Sequence, residues 1–125
     1  MNFFTYGTFR RNQPRHYVLA QLGLSYLRDA CTAPVWEKKN VGGMYTGLVA
    51  GNTSVAGELY RLPTERSALN HAILYMNMVE GTHLDMFKLT SILLDNGTEA
   101  LAYILTPAYT EILLQNGGFS AEPMV

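Results

Sequence analysis

The chain of 125 residues carries a formal net charge of −1, is 48% hydrophobic and holds one cysteine, Cys31. That length predicts a single domain over residues 1–125 with apolar content enough for a core, and the balanced charge, with no basic block, excludes a nucleic-acid surface. The lone cysteine excludes an internal disulfide, no apolar run reaches the ~18 residues of a membrane span, and Met1-Asn2-Phe3-Phe4 is no signal peptide, so the expectation is a soluble cytoplasmic protein without a membrane partner.

Asn2 to Tyr6 predicts a strand, stopped by Gly7 and followed by Thr8, Phe9, Arg10 and Arg11. Glycine takes backbone angles closed to other residues, so a strand ending there can expose successive N–H groups as a concavity for an anion. Asn12-Gln13-Pro14 predicts a helix start, with Tyr17, Val18, Ala20 and Leu22 on its buried side and Gly23 at its end. Leu24 to Leu27 reads as strand, and Trp36 to Gly43 as a polar, lysine-containing loop.

Met44 to Val49 and Ser54 to Arg61 predict strands on either side of the turn signal Gly51-Asn52. In the second, Val55, Gly57 and Leu59 share one face and Ala56, Glu58 and Tyr60 the other. Pro63-Thr64-Glu65 opens a helix capped by Thr64, with Leu69, Ala72, Ile73 and Met76 at helical spacing and Gly81 just past its end. Leu89 to Leu94 and Thr98 to Leu105 flank Asp95-Asn96-Gly97, a hairpin signal whose central turn positions are expected at positive φ. Thr106-Pro107 begins a last helix, Ala108 to Gln115, halted by Asn116-Gly117-Gly118, and the tail 119–125 is expected to fray. The pattern predicts an α+β fold, a small mixed-strand barrel or curled sheet with flanking helices.

Glu80 is the candidate for chemistry. A carboxylate at a helix C-terminus faces the negative end of the dipole at a cost of ~0.3–1 kcal/mol. Met78, Val79 and Gly81 offer it no counter-charge. Exposed, it is an ordinary last-turn glutamate; partly buried, its pKa rises by desolvation, which suits a general acid/base. His16, His71 and His83 share no metal-ligand spacing, so neither metal nor cofactor is expected. His83 either pairs with Glu80 or faces solvent. Cys31 reads as a buried inert thiol, Glu58 as lining the interior or facing water, and Arg10 and Arg11 as surface charges.

Several segments in register resemble one family. Phe3-Phe4-Thr5-Tyr6-Gly7-Thr8-Phe9-Arg10-Arg11 is similar to the opening strand and Tyr-Gly-Ser/Thr-Leu loop of the gamma-glutamylcyclotransferase-like proteins, which include the small gamma-glutamylamine cyclotransferase type and the avirulence-induced-gene-like proteins. Gln13-Pro14-Arg15-His16-Tyr17-Val18-Leu19 is similar to the following helix start, where Asn-His is common. Val55-Ala56-Gly57-Glu58-Leu59-Tyr60 resembles a central Gly-Glu-Val/Leu-Tyr strand, Met76-Asn77-Met78-Val79-Glu80-Gly81 the helix end that carries the family's catalytic glutamate, and Ala102-Tyr103-Ile104 a late strand.

The resemblance implies an intramolecular acyl transfer on a small-molecule γ-glutamyl substrate, releasing 5-oxoproline and an amine without a cofactor. Glu80 would be the general acid/base, and Tyr6, Gly7, Thr8, Phe9 and Tyr103 would bind substrate. Phe9 stands for the usual Leu, Asn77 for the usual Asp, and Met86-Phe87-Lys88 where the family has Tyr followed by Arg. That last departure removes a phenolic hydroxyl and keeps two alternatives open: a non-catalytic member that binds a small carboxylate, and a protein-interaction member of the same fold.

Overall fold

The computed structural model describes residues 1–41, 45–116 and 119–120. Five strands form one open sheet: β1 (Asn2–Thr5), β2 (Ser25–Cys31), β5 (Ala56–Arg61), β6 (Phe87–Leu93) and β7 (Glu99–Leu105), in the order β2-β5-β1-β7-β6. β1 runs antiparallel to β5, with Phe4 opposite Leu59, and parallel to β7, with Phe3 opposite Leu101. A second, smaller sheet has the order β4-β3-β8, from β3 (Trp36–Val41), β4 (Tyr45–Ala50) and β8 (Phe119–Ser120). The helices are α1 (His16–Gln21), α2 (Arg66–Glu80) and α3 (Pro107–Asn116), with a 3-10 turn at Thr82–Leu84. The fold is α+β as expected, and its curled sheet does not close into a barrel.

β1 is the central strand, and its adjacent Phe3 and Phe4 are both buried because the strand is covered on both faces. Phe3 packs with Phe9, Leu62, Ala72, Met76 and Tyr103 on the α2 side. Phe4 packs with Tyr6, Leu48, Leu59 and Ile92 on the side of the small sheet. Gly57 lets β5 lie this close, since a Cβ there would stand 2.4 Å from the Thr5 carbonyl oxygen. Ala72 and Met76 are fully buried and hold α2 against β1. The end of α2, and with it Glu80, is thereby fixed beside the end of β1.

Several expected boundaries move, each for a local reason. α1 begins at His16 rather than near Pro14, because Asn12 takes a φ of 65° and turns close through Gln13 N–H to the Arg10 carbonyl. Val18 and Leu19 form its buried side, while Tyr17 and Ala20 face outward. Trp36–Val41 is a strand and not a loop: its six residues pair in register with β4, and its polar character belongs to side chains such as Lys39 and Glu37, which pair at 3.0 Å. Glu65, not Thr64, caps α2, its two carboxylate oxygens accepting from the N–H groups of Ser67 (3.0 Å) and Ala68 (2.7 Å).

The hairpin forms over Asp95-Asn96-Gly97, but only Gly97 has positive φ (85°). Gly97 N–H bonds the Leu94 carbonyl and Leu94 N–H bonds Thr98, a three-residue loop with a glycine bulge rather than a two-residue turn. Phe119–Ser120 pair with Asn40 and Val41, inside the segment expected to fray. The expectations for Gly42, Gly43 and Met44, for Gly117-Gly118, and for 121–125 lie outside the described residues.

Candidate active site

Glu80 is the last residue of α2. Gly81, at φ 73°, ends the helix in the left-handed region that glycine accepts at little cost, its N–H turned back to the Asn77 and Met78 carbonyls. The Glu80 side chain is partly buried and accepts no hydrogen bond among the described residues. Burial pushes its carboxyl up to about 7, against a smaller opposing pull from the Arg15 cation. Beside it lies a cavity of about 210 Å3 walled by Arg15, Met78, Leu84, Met86 and Phe87.

Two tyrosines feel the same charge. Tyr6 is buried, and its hydroxyl donates to the Tyr103 carbonyl (2.6 Å) and accepts from Leu48 N–H (3.2 Å). The Tyr103 hydroxyl donates to Asn77 Oδ1 at 2.6 Å. Both phenols are held well above their ordinary pKa, first by burial and then by Glu80. Tyr6, Tyr103 and Glu80 are thus brought together, although neither hydroxyl points its proton at the carboxylate.

Among the described residues, Gly7, Thr8 and Phe9 in the turn after β1 have their carbonyls engaged and their amides free. Gly7 O accepts from Arg10 N–H (3.1 Å) and Arg10 Nε (3.0 Å), Thr8 O from Arg15 N–H (3.0 Å), and Phe9 O lies 2.9 Å from His16 Nδ1. The N–H groups of Gly7, Thr8 and Phe9 donate to no acceptor among the described residues. The turn thus presents free amides of partial positive charge, although Gly7 does not take the positive φ that glycine alone adopts readily. Thr46 borders it, since a Cβ on Gly7 would lie 3.2 Å from Thr46 Oγ1. Lys38 on β3, partly buried, is held below the usual lysine range by burial and then by the nearby Arg10 cation. Phe9 itself is a core residue, edge-on to Phe3 at 6.2 Å.

The Tyr6–Phe9 turn does not wall the cavity beside Glu80; Arg15 does. Arg15 and Lys38 are the two cations that the residue patterns did not single out. Arg15 reads as part of a helix start and Lys38 as part of a loop, and only tertiary packing sets Arg15 on the cavity beside Glu80 and Lys38 near Arg10. Asn77 anchors the Tyr103 hydroxyl, a contact to which only its spacing of three residues from Glu80 points.

Glu58 faces inward. It is 9% exposed and accepts from Arg11 N–H (2.8 Å), Arg11 Nε (2.9 Å) and the Tyr60 hydroxyl (2.9 Å). Cys31 is only partly buried and lines a separate pocket of about 470 Å3 with Arg10, Arg28 and Asp95, contrary to the buried thiol expected. The contact considered for the His83 side chain lies outside the described residues. Among the described residues no group of His, Cys, Asp and Glu could hold a metal ion, and no helix is long and apolar enough to cross a membrane.

No curated protein matches this chain. Among solved structures it is similar to c4763, a uropathogenic E. coli-specific protein, with 18% identity over 88% of this chain and 82% of that one and a TM-score of 0.71. It is also similar to YtfP of Escherichia coli, with 24% identity, 85% and 83% coverage and a TM-score of 0.60. A gamma-glutamyl cyclotransferase superposes with 14% identity, 94% and 78% coverage and a TM-score of 0.60. At these identities the likeness is one of fold. The family model described as gamma-glutamyl cyclotransferase, AIG2-like, matches residues 3–120, nearly the whole chain, and the chain belongs to that family.

Proposed function

We propose that the protein is a γ-glutamyl cyclotransferase in which Glu80 moves the protons. The observation that carries this reading is a carboxyl with no hydrogen-bond partner among the described residues, pushed by burial to about 7, at the edge of a cavity. A group poised near the working pH is the most effective proton carrier.

The substrate's α-carboxylate rests on the free amides of Gly7 and Thr8, with Arg10 and Lys38 adding positive charge. Its α-ammonium, which ordinarily titrates near ~8, gives a proton to the Glu80 carboxylate. The freed amine attacks the γ-carbonyl carbon and closes a five-membered ring. As the carbon–nitrogen bond to the departing amine breaks, that nitrogen receives a proton. Overall the α-nitrogen sheds two protons and the departing nitrogen gains two, so one carboxyl can carry each in turn and end unchanged. The products are 5-oxoproline and an amine, and no protein nucleophile is used. Tyr6 and Tyr103 wall the reacting groups, and holding amine and carbonyl together can supply ~7–11 kcal/mol of the barrier.

The test is release of 5-oxoproline from γ-glutamyl amines and γ-glutamyl amino acids. Glu80→Gln is expected to lower turnover by roughly 10²-fold or more, and turnover should rise with pH through about 7, where Glu80 ionises. Wild-type-like turnover in Glu80→Gln overturns the assigned role. Met86, in place of a hydroxyl-bearing residue on the cavity wall, favours the non-catalytic alternative. Saturable binding of a γ-glutamyl compound without product would establish that one instead.

A further inference from the structure

The cavity beside Glu80 has one charged wall apart from the acid. Arg15 stands there with its guanidinium in no ion pair and no hydrogen bond among the described residues. The other walls include Met78, Leu84, Met86 and Phe87, and Met78 and Leu84 are 62% and 63% exposed, which puts the mouth of the cavity on their side. Arg15 is tied to the turn after β1, its N–H donating to Thr8 O at 3.0 Å and its Cζ lying 5.9 Å from the Phe9 ring.

The placement of the two halves of a substrate follows. The Tyr6–Phe9 turn does not line this cavity, whereas Glu80 does. On the cyclotransferase reading above, on which this inference rests, the γ-glutamyl head lies against the turn and reacts at Glu80. Its other half, the departing amine, then occupies the cavity. The cavity, of about 210 Å3 and open on the Met78 and Leu84 side, has room for a small amine. An unpaired guanidinium in an otherwise largely apolar hollow presents five fixed donors and a permanent charge, the complement of a carboxylate. Glu80 is the one acidic side chain lining the same cavity, and among the described residues no ion pair joins it to Arg15; the methionine, leucine and phenylalanine side chains add no acceptor.

We propose that Arg15 is a specificity residue that holds a carboxylate on the departing amine half, so that the protein takes γ-glutamyl amino acids ahead of γ-glutamyl alkylamines. γ-Glutamyl-alanine and γ-glutamyl-ethylamine differ by that carboxylate alone and make the direct test, followed by 5-oxoproline release. The wild-type protein is expected to prefer the alanine conjugate in kcat/KM by about tenfold or more, the scale of one charge-assisted hydrogen-bonded contact.

Arg15→Gln should bring the ratio of the two close to one, mainly through KM for the alanine conjugate. Arg15→Lys, which keeps the charge and loses the fork, should retain part of the preference. Equal use of both conjugates by the wild-type protein, or an unchanged ratio in Arg15→Gln, overturns the proposal. If neither conjugate is cyclised, the cyclotransferase reading fails by itself, and Arg15 is judged by calorimetric titration with the same two compounds. A preference of about tenfold that Arg15→Gln abolishes supports the carboxylate site, and equal affinities overturn it.

Discussion

Glu58 on β5 and Glu80 at the end of α2 are the same side chain in two opposite settings. Burial alone pushes both carboxyls up. At Glu58 the push is outweighed by donors from Arg11 and Tyr60, which hold it below the usual carboxylate range. At Glu80 no described residue donates, and the carboxyl rises to about 7. The tyrosines make the same contrast. Tyr60 gives its proton to Glu58, whereas Tyr6 and Tyr103, which both feel Glu80, give theirs to the Tyr103 carbonyl and Asn77 Oδ1. What separates the two carboxyls here is whether the neighbouring donors are already engaged elsewhere.

The contrast breaks most visibly at Glu58. Glu58→Ala should cost about 2–3 kcal/mol at pH 7 by urea unfolding, because it removes three donors' partner and leaves the buried Tyr60 hydroxyl only a long 3.5 Å contact with His16 Nδ1. The Arg11 side chain is 46% exposed and can turn to water, which keeps the cost at that level. Its folded pKa lies below its unfolded value near 4.5, so the stability it contributes is complete above that value and drains as pH falls through the folded pKa. Acid should therefore narrow the gap between wild type and variant. A variant within about 0.5 kcal/mol of wild type at pH 7 would mean that these bonds do not distinguish the two glutamates.

Glu80 should show the opposite sign. Its folded pKa of about 7 lies above its unfolded value near 4.5, so the folded state binds the proton more tightly and stability is lost as pH rises through 7. Glu80→Gln, which cannot ionise, should be more stable than wild type at pH 8 by on the order of 2 kcal/mol, and the gap should close toward pH 5. A single residue would then trade stability for chemistry, the usual exchange at a reactive site. Equal stability of the two proteins at pH 8 would remove the case for an uncompensated buried charge.

How much of this was legible in the residues follows from what decides each feature. The end of α2 was, because Gly81 is a local signal and Ala72 and Met76 recur at helical spacing, so Glu80 could be placed on its element. Its setting was not, because burial and the absence of donors are tertiary facts. Glu58 could not be assigned from alternation, since β5 is covered on both faces around Leu59 and Tyr60. β3 was missed because Glu37, Lys38 and Lys39 hide a strand whose partner, β4, supplies the order. Arg15 and Lys38 carry no local mark at all: each is a surface cation by type, and only tertiary packing sets Arg15 on the cavity beside Glu80 and Lys38 near Arg10.

The finest test of the contrast is the direction of one hydroxyl. Tyr103 spends its proton on Asn77 Oδ1 at 2.6 Å, and Asn77 lies one helical turn before Glu80 on α2. Asn77→Ala removes that acceptor and leaves the Tyr103 hydroxyl with the Glu80 carboxylate as its charged neighbour. A hydrogen bond to the ionised form favours it, so the Glu80 midpoint should fall by about 0.5–1 unit, measured by carbon-13 NMR of the carboxyl. The shift must vanish when Tyr103→Phe is added, because the second change removes the only new donor; that coupling separates a redirected hydroxyl from a general loosening of the helix end. A midpoint that stays at about 7 in Asn77→Ala would mean that desolvation, and not the prior engagement of Tyr103, is what keeps Glu80 apart from Glu58.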